Sequence, residues 1–163
     1  MKTVQTHRDT IDAFLASQSF AVVGVSSDRK KFGNSLYRAI RERGLQVYPV
    51  HRSLETVEGD RCYRSVKDLR DKVKAVVTAV PPAETEKVVQ ECVEAGVELV
   101  WMQQGSESGI AVGEAVRNGM RVVSGECLIM FLEPVKSIHA FHRWFNRIIG
   151  KYPNPPRTAN SRS

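Results

Sequence analysis

At 163 residues, 42% hydrophobic and 26% charged, the chain is long enough for one domain with its own core and is not composed like a disordered segment. No run approaches the roughly 18 uninterrupted apolar residues of a membrane helix, and the polar stretch Met1 to Thr10 lacks the apolar core of a signal peptide, so the expected compartment is cytoplasmic. The formal net charge of +6 sits at one end: residues 136–163 carry Lys136, Arg143, Arg147, Lys151, Arg157 and Arg162 with no Asp or Glu, leaving the preceding body neutral.

In chain order, Thr10–Ala16 reads as a short leading helix that covers a sheet. Phe20–Val25 is the first strand. Asn34 to Arg43 follows as a helix with Leu36, Ala39 and Ile40 on one face and Gly44 as its stop. Gln46–Val50 and Ala75–Val80 are the second and third strands. Pro82 to Ala95 forms a helix that opens on proline, aligns Val88, Val89, Cys92 and Val93, and stops at Gly96. Glu98–Met102 is a strand, Ser108 to Asn118 a helix bearing Val112, Ala115 and Val116, and Arg121–Ser124 a fifth strand. Each strand is apolar almost throughout, which suits a parallel sheet covered on both faces. Strands alternating with helices predict an α/β fold, a Rossmann-like doubly wound parallel five-stranded sheet. Ile138, Phe141, Phe145 and Ile148 then mark an added C-terminal amphipathic helix, packed on the body or on a second copy in a homodimer. The expected organisation is a domain over 1–135, that helix over 136–150, and a basic, proline-containing tail over 151–163.

Ligands of such sheets bind beyond the carboxyl ends of the strands. After the first strand comes Gly24-Val25-Ser26-Ser27-Asp28-Arg29-Lys30-Lys31-Phe32-Gly33-Asn34-Ser35. Gly24 permits a sharp turn, and Gly33 permits close approach of a ligand to the next helix. The hydroxyls of Ser26, Ser27 and Ser35, with the helix amides, suit a pyrophosphate, and Arg29, Lys30 and Lys31 add positive charge. The loop is not GxGxxG, and by itself it also reads as a polar turn. A branched residue at 33 is expected to block binding while leaving the fold largely intact. The second strand ends Tyr48-Pro49-Val50-His51-Arg52, without the carboxylate that grips ribose hydroxyls in NAD sites. Arg52 and His51 instead suit a phosphorylated ribose, as in CoA or NADP. The third strand runs into Val80-Pro81-Pro82, and the fourth ends Trp101-Met102-Gln103-Gln104-Gly105, where Trp101 and Met102 read as core.

Together, Ala21 through Leu36, Tyr48-Pro49-Val50, Ala79-Val80-Pro81-Pro82 and Trp101-Met102-Gln103-Gln104-Gly105 resemble the small CoA-binding family over about residues 12–133. That family is similar to the CoA-binding domain of succinyl-CoA synthetase α subunits. The resemblance implies CoA, or an acyl-CoA, with its phosphates over the first loop and its adenosine near the second strand end. By motif position it implies binding by Gly24, Ser26, Ser27, Lys31, Phe32, Gly33, Asn34, Pro49, Arg52, Val80, Pro81 and Gln104. The synthetases' phosphorylated histidine has no equivalent here, so the resemblance carries ligand binding and no reaction.

No catalytic triad, carboxylate pair or P-loop stands out, and no catalytic residue or metal is assigned. Cys62, Cys92 and Cys127 form an odd set without CxxC, which points to reduced thiols rather than disulfides or zinc. Cys92 reads as core. Cys127 is either a quiet buried cysteine or a thiol favoured as thiolate at a helix start and able to exchange with CoA's own thiol. His139 and His142 lack a third ligand. Phe141, Trp144 and Phe145 read as packing rather than base stacking, and nucleic acid is not an expected partner. The alternatives to a CoA-binding module are an NADP-dependent oxidoreductase and a nucleotide-sensing regulatory protein that contacts a partner through the tail.

Overall fold

The structure is a computed structural model and describes residues 8–132. The expected terminal helix, its histidines and aromatics, and the basic tail lie outside the described residues. The chain opens with helix α1 (Arg8–Leu15), strand β1 (Ser19–Val23), helix α2 (Phe32–Glu42) and strand β2 (Gln46–Val50). A hairpin of β3 (Thr56–Val57) and β4 (Asp60–Arg61) and a 3-10 turn (Val66–Leu69) lead to β5 (Ala75–Thr78). Helix α3 (Pro82–Ala95), β6 (Leu99–Gln103), helix α4 (Gly109–Arg117) and β7 (Arg121–Glu126) complete the series, followed by a 3-10 turn (Leu128–Met130).

Five strands form one parallel sheet in the order β2-β1-β5-β6-β7. Counting only these strands, the order is 2-1-3-4-5, the flavodoxin-like variant of the doubly wound sheet. Successive strand residues point to opposite faces, and both faces are buried. On one side Ala21, Val76, Val100 and Met102 meet Val88, Val89 and Cys92 of α3 and Ala111 and Ala115 of α4. On the other, Phe14 of α1 stacks within 5.4 Å of Phe20 and 5.2 Å of Trp101, and Trp101 in turn meets Phe131 at 5.3 Å. Each fully buried aliphatic or aromatic side chain of this kind contributes about 1.5–3 kcal/mol. Trp101, Met102 and Cys92 are therefore core, as expected. The Trp101 indole N–H is satisfied by the Glu126 carbonyl at 3.0 Å.

The elements differ from expectation mainly at their ends. β1 stops at Val23 because the chain turns at Gly24, whose φ is +119°. α2 starts two residues earlier than its apolar stripe indicates, and β7 runs two residues further, to Glu126. The hairpin was not foreseen. Beyond it, Tyr63 pairs in parallel with the outer edge of β2: its N–H donates to the Pro49 carbonyl at 2.9 Å, and its carbonyl accepts the His51 N–H at 2.8 Å. No helix among the described residues is long and apolar enough to cross a membrane.

Candidate functional site

The chain reverses its direction of winding between β1 and β5, so the crevice of this sheet opens above the exits of those two strands. The exits are in close contact. A Cβ built on Gly24 would press on the Ala79 carbonyl, 2.7 Å from its carbon, so both the φ and the space at position 24 demand glycine. Gly33, in the first turn of α2, lies against the same turn. A Cβ there would be 2.5 Å from the Gly24 carbonyl carbon and 2.9 Å from the Val25 nitrogen. The space at Gly33 is thus taken by the chain itself rather than reserved for a ligand. The expectation that Gly33→Val leaves the fold largely intact is overturned, since the obstructing atoms are backbone.

This contact brings the start of α2 to the crevice. The first turn of α2 contains no acidic residue, and its N-cap, Lys31, makes no side-chain capping bond. Helix amides and their dipole at such an end favour an anion. The loop before it is organised by its own polar groups: the Asp28 N–H donates to Ser26 Oγ at 3.1 Å, and the Lys30 N–H to Asp28 Oδ1 at 3.0 Å. Asn34, buried in α2, reaches back. Its Oδ1 accepts the Ser26 N–H at 2.8 Å, and its Nδ2 donates to the Ser26 carbonyl at 2.8 Å. Asn34 therefore holds the loop. Ser27, Arg29, Lys30 and Lys31 are exposed around it, and Phe32 is half-buried.

The hairpin closes one side of this loop. Its two-residue turn, Glu58-Gly59, has positive φ at both positions, 52° and 83°. Such turns favour Asn, Asp or Gly, and a larger L-residue in the left-handed region costs about 1–2 kcal/mol. The Glu58 side chain is only 1% exposed. It accepts from Asn34 Nδ2 at 3.1 Å and Arg38 Nη1 at 2.7 Å, and pairs with Arg29 Nη2 at 3.1 Å. Burial works against its charge, yet the Asn34 hydrogen bond and the Arg38 and Arg29 guanidiniums hold its carboxyl below the usual range. Asp60 docks the hairpin a second time, accepting from Tyr37 Oη at 2.5 Å and Arg41 Nη1 at 2.7 Å. Those two bonds lower the Asp60 pKa, while burial and Asp60 raise that of Tyr37. Between loop and hairpin lies a cleft of about 520 Å³ lined by Ser26, Ser27, Arg29, Arg41 and Glu58, among others.

The other expected residues are more dispersed. Pro49 is buried within β2 and lines a different cleft, of about 280 Å³ at the sheet edge, beside Tyr37, Tyr48 and Tyr63. Arg52 is exposed and sits 3.6 Å from Glu84 of α3, so its charge already has a counter-charge. Val80 and Pro81 follow β5, and the Val80 N–H donates to Ser106 Oγ at 3.4 Å. That hydroxyl also bonds Thr78 Oγ1 at 2.9 Å and Thr85 Oγ1 at 2.7 Å, a buried cluster under the third exit that sequence reasoning missed. Gln104 is exposed, whereas Gln103 is buried and accepts the Leu128 N–H at 3.1 Å. Cys127 is buried, and burial pushes its thiol pKa up, which removes the thiolate reading. Among the described residues no group of His, Cys, Asp and Glu has the arrangement of a metal site.

The family model described as CoA binding domain matches residues 18–133. The α subunit of an ADP-forming acetate–CoA ligase from Pyrococcus furiosus is 31% identical over 129 residues, covering 72% of this chain and 28% of that subunit. An ADP-forming acetate–CoA ligase from Methanocaldococcus jannaschii is 30% identical over 119 residues, 68% of this chain and 17% of its own length. Among solved structures, a conserved hypothetical protein from Pyrococcus furiosus superposes with a TM-score of 0.67 at 33% identity, over 70% of this chain and 98% of that one.

Proposed function

This chain belongs to the CoA-binding domain family, and from that premise we propose that it binds coenzyme A or an acyl-CoA at the crevice above β1 and β5. In this reading the pyrophosphate lies over residues 24–35 and the adenosine extends toward the exit of β2. The observation that supports it most is the contact of Gly33 with the Gly24 turn, which sets the acid-free start of α2 beside the Ser26-Ser27 loop. Backbone amides and hydroxyls so placed hold phosphate without a GxGxxG motif. Val80, Pro81 and Gln104 form the wall on the β5–β6 side, and Arg52 reads the 3′-phosphate by exchanging Glu84 for it. We assign a binding role and no reaction: the polar groups at the crevice suit phosphate, and burial pushes the Cys127 thiol up, away from thiolate chemistry. This chain spans only 28% and 17% of the length of the two ligase chains it matches.

Native mass spectrometry of the purified protein, followed by calorimetry, tests this reading. CoA or an acyl-CoA should be retained or bind, and more tightly than NAD or NADP. Tighter binding of NADP than of CoA would favour the oxidoreductase alternative and overturn the assignment.

A further inference from the structure

Resting on the ligand reading above, we propose that Glu58 is the positioning residue of the phosphate loop, reaching from the hairpin to set the loop in its ligand-ready form. An ionised carboxylate only accepts hydrogen bonds. Placed 3.1 Å from the Asn34 amide, it dictates that the NH₂ end faces it. The Oδ1 end is thereby left to take the Ser26 N–H, while the second Nδ2 hydrogen holds the Ser26 carbonyl. A rotated amide would set NH₂ against N–H and release the loop. Glu58 also gathers the two arginines that flank the loop. Arg38 bonds Glu58 and, through the same Nη1, the Arg29 carbonyl at 3.1 Å, while Arg29 pairs with Glu58 through its side chain. The loop is thus fastened at residues 26 and 29 by donors that one buried carboxylate organises.

Glu58 is not the hairpin's sole anchor on α2. Asp60 already docks it on Tyr37 and Arg41 of α2, and Arg41 also bonds the Glu58 carbonyl at 3.1 Å. A glutamate at a left-handed turn position, with its side chain buried, is explained by what the carboxylate touches rather than by the turn.

Three variants separate the roles. Glu58→Asn keeps a residue suited to the turn but is too short to reach Asn34. Glu58→Gln keeps the acceptor without the charge, and Asp60→Asn loosens the hairpin without touching Asn34. Two readouts are taken: the dissociation constant for CoA by calorimetry, and the hydrogen-exchange rate of the Ser26 amide by NMR in the ligand-free protein. Glu58→Asn should weaken CoA binding about ten-fold and speed Ser26 exchange, while Glu58→Gln stays within about three-fold on both. Asp60→Asn should lower the melting temperature and leave both readouts near wild type. Wild-type affinity and exchange in Glu58→Asn, or an equal effect from Asp60→Asn, would overturn the proposal. Should the wild-type protein not bind CoA, the ligand reading fails, and Ser26 exchange still decides whether Glu58 sets the loop.

Discussion

Replacing Gly33 by Ala adds one methyl group at the tightest point of the crevice. Helix propensity favours the change by up to about 1 kcal/mol. Against it, the new Cβ would lie 2.5 Å from the Gly24 carbonyl carbon, so α2 and the β1 exit must part by about 1 Å to reach ordinary contact. The obstructing atoms are backbone, which no rotamer change relieves, and overpacking of this kind costs about 1–3 kcal/mol or more. The clash therefore outweighs the propensity, with a net loss of about 1–2 kcal/mol and a fall in melting temperature of about 4–8 °C for a domain of this size. CoA affinity should drop by about ten-fold or more, because the two segments driven apart are the two proposed to form the phosphate cradle. Gly113→Ala is the control: it lies inside α4, where only the mobile end of the Arg117 side chain is near. That variant should gain about 0.5–1 kcal/mol. Thermal denaturation followed by circular dichroism, with calorimetry for CoA, measures both. A Gly33→Ala protein as stable as wild type with unchanged affinity would refute the reasoning.

Arg52→Ala should narrow the preference for CoA over dephospho-CoA from about ten-fold to within about two-fold, since one charge-assisted contact is lost; an unchanged ratio in paired titrations removes Arg52 from the 3′-phosphate. Ser106→Ala withdraws the hydroxyl shared by buried Thr78 and Thr85 and should cost about 1–3 kcal/mol in urea unfolding at constant m. Equal stability of that variant would mean the two threonines find other partners. Glu58 and Asp60 both have folded-state pKa values below their unfolded ones. Their contribution is therefore complete above the unfolded carboxylate range, about pH 4–5, and is lost as pH falls through the folded values. Hairpin amides should lose exchange protection on acidification before those of β5 and β6, and simultaneous loss would contradict the assignment.

The five strands of the sheet and the four helices among the described residues were legible, the strands because burial on both faces leaves nearly unbroken apolar runs such as Ala75–Thr78 and Leu99–Met102, which polar loops punctuate. Helix starts were less so: Phe32 and Gly33 extend α2 beyond its apolar stripe, and Gly33 lies against the turn at Gly24, a contact invisible in local pattern. The hairpin has only two residues per strand, and its turn is Glu-Gly where the readable signal is Asn-Gly or Asp-Gly. Glu58 consequently reads as a surface acid eight positions past the second strand, although the fold returns it to the first loop. Motif position grouped Pro49 with the loop residues, yet only the three-dimensional path shows that it lines the cleft at the sheet's edge and that Asn34 serves the loop backbone.

That placement of Pro49 bears on how the protein behaves in a crowded solution. β2 is an outermost strand, and such strands invite pairing with other chains. Gln46 donates inward to the Gln18 carbonyl, while the Pro49 carbonyl and His51 N–H face out to Tyr63, so the odd-numbered positions of β2 carry the outward groups. Proline has no donor to offer at position 49, and Tyr63 takes the donor at 51. A foreign strand approaching this margin therefore meets a ladder in which positions 49 and 51 offer no donor. The same proline that stands in the Tyr48-Pro49-Val50 motif thus also takes one donor away from the sheet's outer margin.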